Sequence, residues 1–277
     1  MTEAGRGPAT WRGDPPTELG RPQGLAGWFR VVRRGLPAIL VLLIGVILIL
    51  PLRLVERLFH GPRRPWTGPH VQIVCRMVLL CIGLPWTRIG QPMRGPGAVV
   101  ANHSSWLDIL VLNAAMPVFF VSKAEVAGWP GVNILTRVTD THFVVRDPKL
   151  ARQQAHEFAA RVRAGHRLLF FPEGTSSDGR RVLPFKPTLF QGFLDPELPL
   201  DLAIQPITAD YHAPRGEDPR FYGWWGDMDL GPHLLHVLSV KRPGRVTVTL
   251  HPPIPVAGET RKSLSAKSEM AVRSTLD

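Results

Sequence analysis

Between Arg34 and Arg53 the chain carries eighteen uncharged residues, Gly35 to Leu52, dense in Leu, Ile and Val. As a helix rising about 1.5 Å per residue this run covers roughly 27 Å, close to a hydrocarbon core of about 30 Å. The pattern predicts a membrane anchor, spanning or deeply embedded, with a buried core helix as the competing reading. A late start and no small-residue cleavage pattern argue against a signal peptide. A second apolar stretch runs from Val71 to Trp86, interrupted by Arg76 and closed by Pro85. It is too short to span alone. Flanked by Trp66 and Trp86, it predicts an interfacial helix or one packed on the first, and an amphipathic helix on a soluble core has the same pattern.

After residue 86 the pattern changes to short apolar runs separated by helical periodicity. GAVVA (97–101), VFFVS (118–122), HFVV (142–145), RLLFF (167–171), LAIQPIT (202–208) and RVTVTL (245–250) predict strands. Trp106–Ala115, Lys149–Ala164 and Phe185–Phe193 predict helices, and residues 259–277 a weak terminal one. Such alternation implies an α/β fold: a mixed, mostly buried sheet flanked by helices, behind an N-terminal membrane-anchoring helical region. The boundaries follow as a disordered tail (1–24, rich in Gly, Pro and Arg), anchoring helices (25–86) and an α/β catalytic domain (87–277). Residues 215–232, with Trp224 and Trp225, predict an irregular loop near the membrane.

Charge narrows the function. The net charge is +11, and residues 1–64 hold ten Arg against four acidic residues, or +6 of it. That places the excess on the tail and the flanks of the apolar run, where anionic head groups attract it. Without basic runs interleaved with aromatics, nucleic acid is a poor partner. Two cysteines, Cys75 and Cys81, exclude a disulfide framework and a four-thiolate zinc site, and read as packing residues.

Two constellations carry chemistry. A strand ends in Asn102-His103-Ser104-Ser105-Trp106-Leu107-Asp108. An aspartate five residues after a histidine, on the first turn of a helix, can fix its tautomer and let it take a proton from a hydroxyl. The same residues also read as a capping pair, Ser105 with Asp108, beside a loop histidine. About seventy residues on, RLLFF runs into Pro172-Glu173-Gly174-Thr175-Ser176-Ser177, where glycine permits close backbone approach and the hydroxyls offer donors. An ordinary turn has that composition too. There is no Gly-x-Ser-x-Gly elbow, and neither cysteine sits in a motif, so nothing suggests a covalent nucleophile.

In order and behind an anchor, NHSSWLD and FPEGTSS resemble the Asn-His-x-x-x-x-Asp and Phe-Pro-Glu-Gly-Thr motifs of the glycerolipid acyltransferases. The resemblance spans roughly residues 75–255. The block ending at Arg146 and the IQPIT segment around Pro206 extend it. It implies transfer of a fatty acyl chain from a carrier thioester, acyl carrier protein or coenzyme A, to a lysolipid hydroxyl, with no metal or prosthetic group. By position His103 would be the general base and Asp108 its orienting carboxylate. Glu173, Gly174 and Thr175 would shape the acceptor site, Arg146 would contact the acceptor's anionic part, and Lys123 would be a structural or head-group contact.

Phosphatidic-acid-forming members usually have Arg where this chain has Ser176. Losing that guanidinium weakens a phosphomonoester acceptor. FPEGTSSDGRRVLPFKPTLF and WWGDMDLGPHLLHVL look more like the bacterial lyso-ornithine lipid O-acyltransferases, which implies lyso-ornithine lipid as acceptor. Lysophosphatidic acid acyltransferase is the alternative within the enzymes, and a non-catalytic membrane-anchored lipid-binding protein the alternative outside them. Arg180, Arg181 and Lys186 follow the second motif and read equally as contacts to the acceptor, the carrier or the interface, or as a solvated run. Cytoplasmic thioesters imply the inner membrane, with the catalytic domain facing the cytoplasm.

Overall fold

The computed structural model describes residues 10–14, 19–95, 97–123, 142–144, 151–195, 198–199 and 201–276. The long apolar run is the middle of one 36-residue helix, α1 (Gly24–Phe59). Its best 18-residue window has a mean hydropathy of 2.9, and it is the one described helix long and apolar enough to cross a membrane. α2 (Thr67–Ile82) turns back along it and ends at Gly83, which adopts φ +74° as a left-handed cap. The two helices meet tightly at Gly45, where a Cβ would come within 2.8 Å of the Val74 side chain. Glu56 of α1 satisfies the start of α2, its carboxylate accepting from the Trp66 and Thr67 amides and the Thr67 hydroxyl. His70 Nε2 lies 2.9 Å from the Gly45 carbonyl oxygen.

The remaining elements among the described residues are β1 (Trp86–Ile89), β2 (Gly97–Ala101), α3 (Asp108–Ala115), β3 (Phe119–Lys123), β4 (His142–Val144), α4 (Ala151–Arg163) and β5 (Arg167–Phe170). A 3₁₀ helix (Pro187–Leu194), β6 (Ala203–His212), α5 (Leu230–Ser239), β7 (Arg245–Leu250), β8 (Ile254–Pro255) and α6 (Arg261–Arg273) complete the chain. The sheet order is β1-β7-β6-β2-β5-β3-β4, with β8 beside β6. β6 runs antiparallel to β7 and β8, and the other pairings are parallel.

Both faces of the sheet are covered, which is why its central strands read as continuous apolar runs. Val99 and Ala101 of β2 face a core shared with α1, α2, α3 and α5. Ala98 and Val100 face the other, under the 3₁₀ helix and α6. The predicted mixed α/β architecture is the observed one, with local differences. Phe185–Phe193 forms the 3₁₀ helix after Pro187 and not an α-helix. The strand predicted at 202–208 continues to His212, because Ala209 and Tyr211 keep the alternation inward. Residues 215–229 are irregular, as expected; Phe221, Tyr222 and Trp225 are buried within them, and the segment leads into α5.

The basic flank of α1 is also used differently from the expectation. Arg34 is buried and donates to the Leu238 and Val240 carbonyls at 2.9 and 2.7 Å, and Arg30 donates to Ser239 at 2.6 Å. These arginines satisfy the open C-terminal end of α5, as cations near a helix C-terminus do. At the opposite end of α1, His166 Nε2 lies 2.8 Å from the carbonyl oxygen of Pro62. Both ends of the long helix are therefore tied to the globular part. Its outer face, from Leu36 through Ile47 to Leu58, remains exposed.

Candidate active site

The site forms where parallel β2 and β5 end side by side. Their register pairs Val100 with Phe170, so His103 and Glu173 each lie three residues beyond the same level of the sheet. The carboxyl ends of adjacent parallel strands are where loops of an open sheet gather reactive groups. Asn102 continues the pairing with its side chain, accepting from the Ala209 amide at 2.8 Å and donating to the Ala209 carbonyl at 3.0 Å. That fixes the chain just before His103.

His103 Nδ1 lies 2.7 Å from Asp108 Oδ2. The same oxygen accepts from the Ser104 and Ser105 amides at 2.7 and 2.9 Å, and Oδ1 accepts from the Tyr211 hydroxyl at 2.7 Å. Asp108 is fully buried, whereas the His103 side chain keeps 23% of its surface. The Asp108 bond to the Ser105 amide is also the carboxylate half of the expected capping pair. The aspartate folds back on the turn, and no side chain caps the start of α3. The imidazole stacks on Phe171 at 4.0 Å and 10°. With Nδ1 held by the carboxylate, Nε2 is left to exchange a proton with a reactant.

Burial pushes the Tyr211 phenol well above its usual range, with the neighbouring Asp108 carboxylate adding to the effect. It stays a hydrogen-bond donor to Asp108 at any working pH. Tyr211 was not among the residues the sequence singled out. Its signal was the inward alternation of Ile207, Ala209 and Tyr211, which carries β6 beyond the ends of β2 and β5.

Glu173 is buried and spans two backbone amides. One oxygen accepts from the His103 amide at 2.7 Å and the other from the Leu183 amide at 2.9 Å. Desolvation raises its pKa to about 8, against the lowering effect of those two amides. Its observed contacts tie the two motif loops together. Gly174 adopts φ +75°, and a Cβ there would come within 2.6 Å of the Lys186 ammonium. Thr175 Oγ1 accepts from the backbone N–H of Trp11 at 3.3 Å.

The loops are cross-braced by backbone bonds: Ser177 N to His103 O and Trp224 N to Ser104 O, both 2.8 Å. Arg181 pairs with buried Asp178 at 3.0 Å. Lys123 ends β3, next to β5 and at the same edge of the sheet. Arg146 and most of the block before it lie outside the described residues. Of the residues assigned to a tail, Trp11 and Arg12 pack against this edge.

An acyltransferase family model matches residues 88–210, which contain both loops. The chain is 51% identical to the lyso-ornithine lipid O-acyltransferase of Rhodobacter capsulatus over 95% of its length and 96% of the relative's. It is 34% identical to the enzyme of the same description from Brucella abortus, over 80% and 86%. The crystal structure of the 1-acyl-sn-glycerophosphate acyltransferase of Thermotoga maritima superposes with a TM-score of 0.59 at 19% identity. It covers 88% of this chain and 95% of that one, a likeness of fold.

Proposed function

The chain belongs to the acyltransferase family, and from that premise we propose that it O-acylates lyso-ornithine lipid, using a carrier thioester. The observation that carries the mechanism is the His103–Asp108 pair, with Nδ1 held at 2.7 Å and the imidazole edge accessible. In this reading His103 Nε2 takes the proton of the acceptor hydroxyl as its oxygen attacks the thioester carbonyl. The tetrahedral intermediate then expels the thiol, which takes the proton back from His103. The thioester supplies the activated acyl group, so the scheme needs no prosthetic group.

The acceptor reading rests on the close relatives' described activity and on Ser176 standing where a guanidinium would suit a phosphomonoester. In this scheme Gly174 and Thr175 frame the acceptor site, Glu173 holds the loop that forms it, and Arg146 and Lys123 meet the acceptor's anionic part.

Membrane association follows from the exposed apolar face of α1. Because both ends of α1 are tied to the catalytic unit, the helix fits best lying along one leaflet with that face embedded. A supply of acyl thioesters in the cytoplasm favours the catalytic unit on that side of the inner membrane.

The test is to offer the purified protein lyso-ornithine lipid and lysophosphatidate separately, with one labelled acyl donor. Preferential labelling of ornithine lipid is expected. Labelling of phosphatidate alone would transfer the chain to the alternative acceptor, and no thioester consumption would leave only lipid binding.

A further inference from the structure

Residues 10–14 form a strap across the Thr175 turn. From the start of α1 the chain passes α5, where the Gly20 carbonyl lies 3.3 Å from His236 Nδ1. At Trp11 it reaches the Thr175 turn, donating its backbone N–H to Thr175 Oγ1. The next carbonyl, of Arg12, accepts from the indole N–H of buried Trp225 at 3.2 Å, and the two indoles lie 6.1 Å apart. Arg12 Nε sits 3.8 Å from Asp227 Oδ2. The strap thus joins the two loops whose backbones hold His103 and Ser104.

What Trp11 stacks on is a half-exposed cation. The Arg181 guanidinium lies 5.4 Å from the centroid of a Trp11 ring. Two of its nitrogens are engaged by Asp178, Nε at 3.3 Å and Nη2 at 3.0 Å. Arg181 is coupled to the reacting centre through the Ser177 hydroxyl, which donates to the Arg181 carbonyl at 3.1 Å, while the Ser177 amide bonds the His103 carbonyl. A guanidinium is the natural bidentate partner of a phosphate. Here its paired edge is neutralised by a buried carboxylate and one face is closed by an indole.

We propose that Trp11, acting with Asp178, withholds Arg181 from the acceptor and so disfavours lysolipids bearing a phosphomonoester. Trp11 is then a specificity-determining residue supplied by the far end of the chain. The inference rests on the acceptor reading above, in which the head group approaches the Thr175 turn.

The experiment uses the full chain in mixed micelles, measuring kcat/KM for lyso-ornithine lipid and for lysophosphatidate. Trp11→Ala is expected to raise the ratio favouring lysophosphatidate by about tenfold or more, the scale of one charge-assisted hydrogen bond gained. Trp11→Phe should stay near the parent, and adding Arg181→Ala to Trp11→Ala should abolish the gain. An unchanged ratio, an equal loss on both acceptors, or a gain that survives Arg181→Ala would each overturn the proposal. Those outcomes, with lyso-ornithine lipid still preferred by the parent chain, leave the acceptor reading standing. A parent chain that prefers lysophosphatidate removes both.

Discussion

The Tyr211 hydroxyl, from the overhanging end of β6, donates to Asp108 Oδ1 at 2.7 Å, on the opposite oxygen from His103. With the two amides of the preceding turn, the carboxylate accepts four hydrogen bonds and has no freedom to rotate. Tyr211 is therefore a positioning residue for the pair. Tyr211→Phe removes one bond to a charged group, worth about 1.5–3 kcal/mol. The expected result is a kcat reduced roughly 10- to 100-fold with KM for the acceptor little changed. Steady-state kinetics on both substrates checks this, and a change confined to KM would contradict it.

His103→Ala should lower acyl transfer by roughly 100- to 10,000-fold, the usual contribution of a positioned base. The pair acts as a unit, so Asp108→Asn should cost much of the same factor, and the double variant little more than His103→Ala alone. Rates of the three variants in one assay decide it. Full additivity would mean that Asp108 serves the turn and not the histidine.

Acid should destabilise the fold through His233. Its Nδ1 accepts the indole N–H of Trp106 at 3.0 Å, which requires an unprotonated nitrogen. Burial, reinforced by nearby His236, lowers its pKa to about 4 from an ordinary value of 6.5. A base with a depressed folded value contributes full stability above the unfolded pKa and loses it as pH falls from about 6.5 towards 4. The loss is up to about 3 kcal/mol. Denaturation midpoints at pH 7 and 4.5 should show it, and His233→Gln should flatten that part of the profile.

The placement of α1 has a direct readout. Cysteines introduced at Gly20 and Gly61, before and after the helix, should be labelled by a membrane-impermeant thiol reagent from the same side of sealed vesicles. Labelling from opposite sides would mean that α1 crosses the bilayer. Arg34→Met should loosen the same arrangement, because it strips the Leu238 and Val240 carbonyls of their buried donor. A lower melting temperature in detergent is the expected sign.

The apolar helix, the strands that carry His103 and Glu173 and the pairing of His103 with Asp108 are all local in sequence, and so they are legible there. Hydrophobic period, composition and a five-residue spacing encode them directly. For Arg30 and Arg34 the charge gave no sign of their carbonyl partners. Arginines flanking an apolar run look alike whether they meet lipid head groups or the carbonyls at the end of α5, since both offer negative charge to the same cation.

By itself, then, the sequence determined the family, the α/β class, the apolar helix and the pairing of His103 with Asp108. Tertiary structure alone decided which residues complete them. Tyr211 reaches Asp108 from 103 residues away because β6 outruns its neighbours. Trp11 reaches Thr175 across 164. Glu173 ties two backbones together, accepting from the His103 and Leu183 amides. Each depends on strand register and on loops closing over a sheet edge. Such contacts are set by packing between distant segments, and no local periodicity records them.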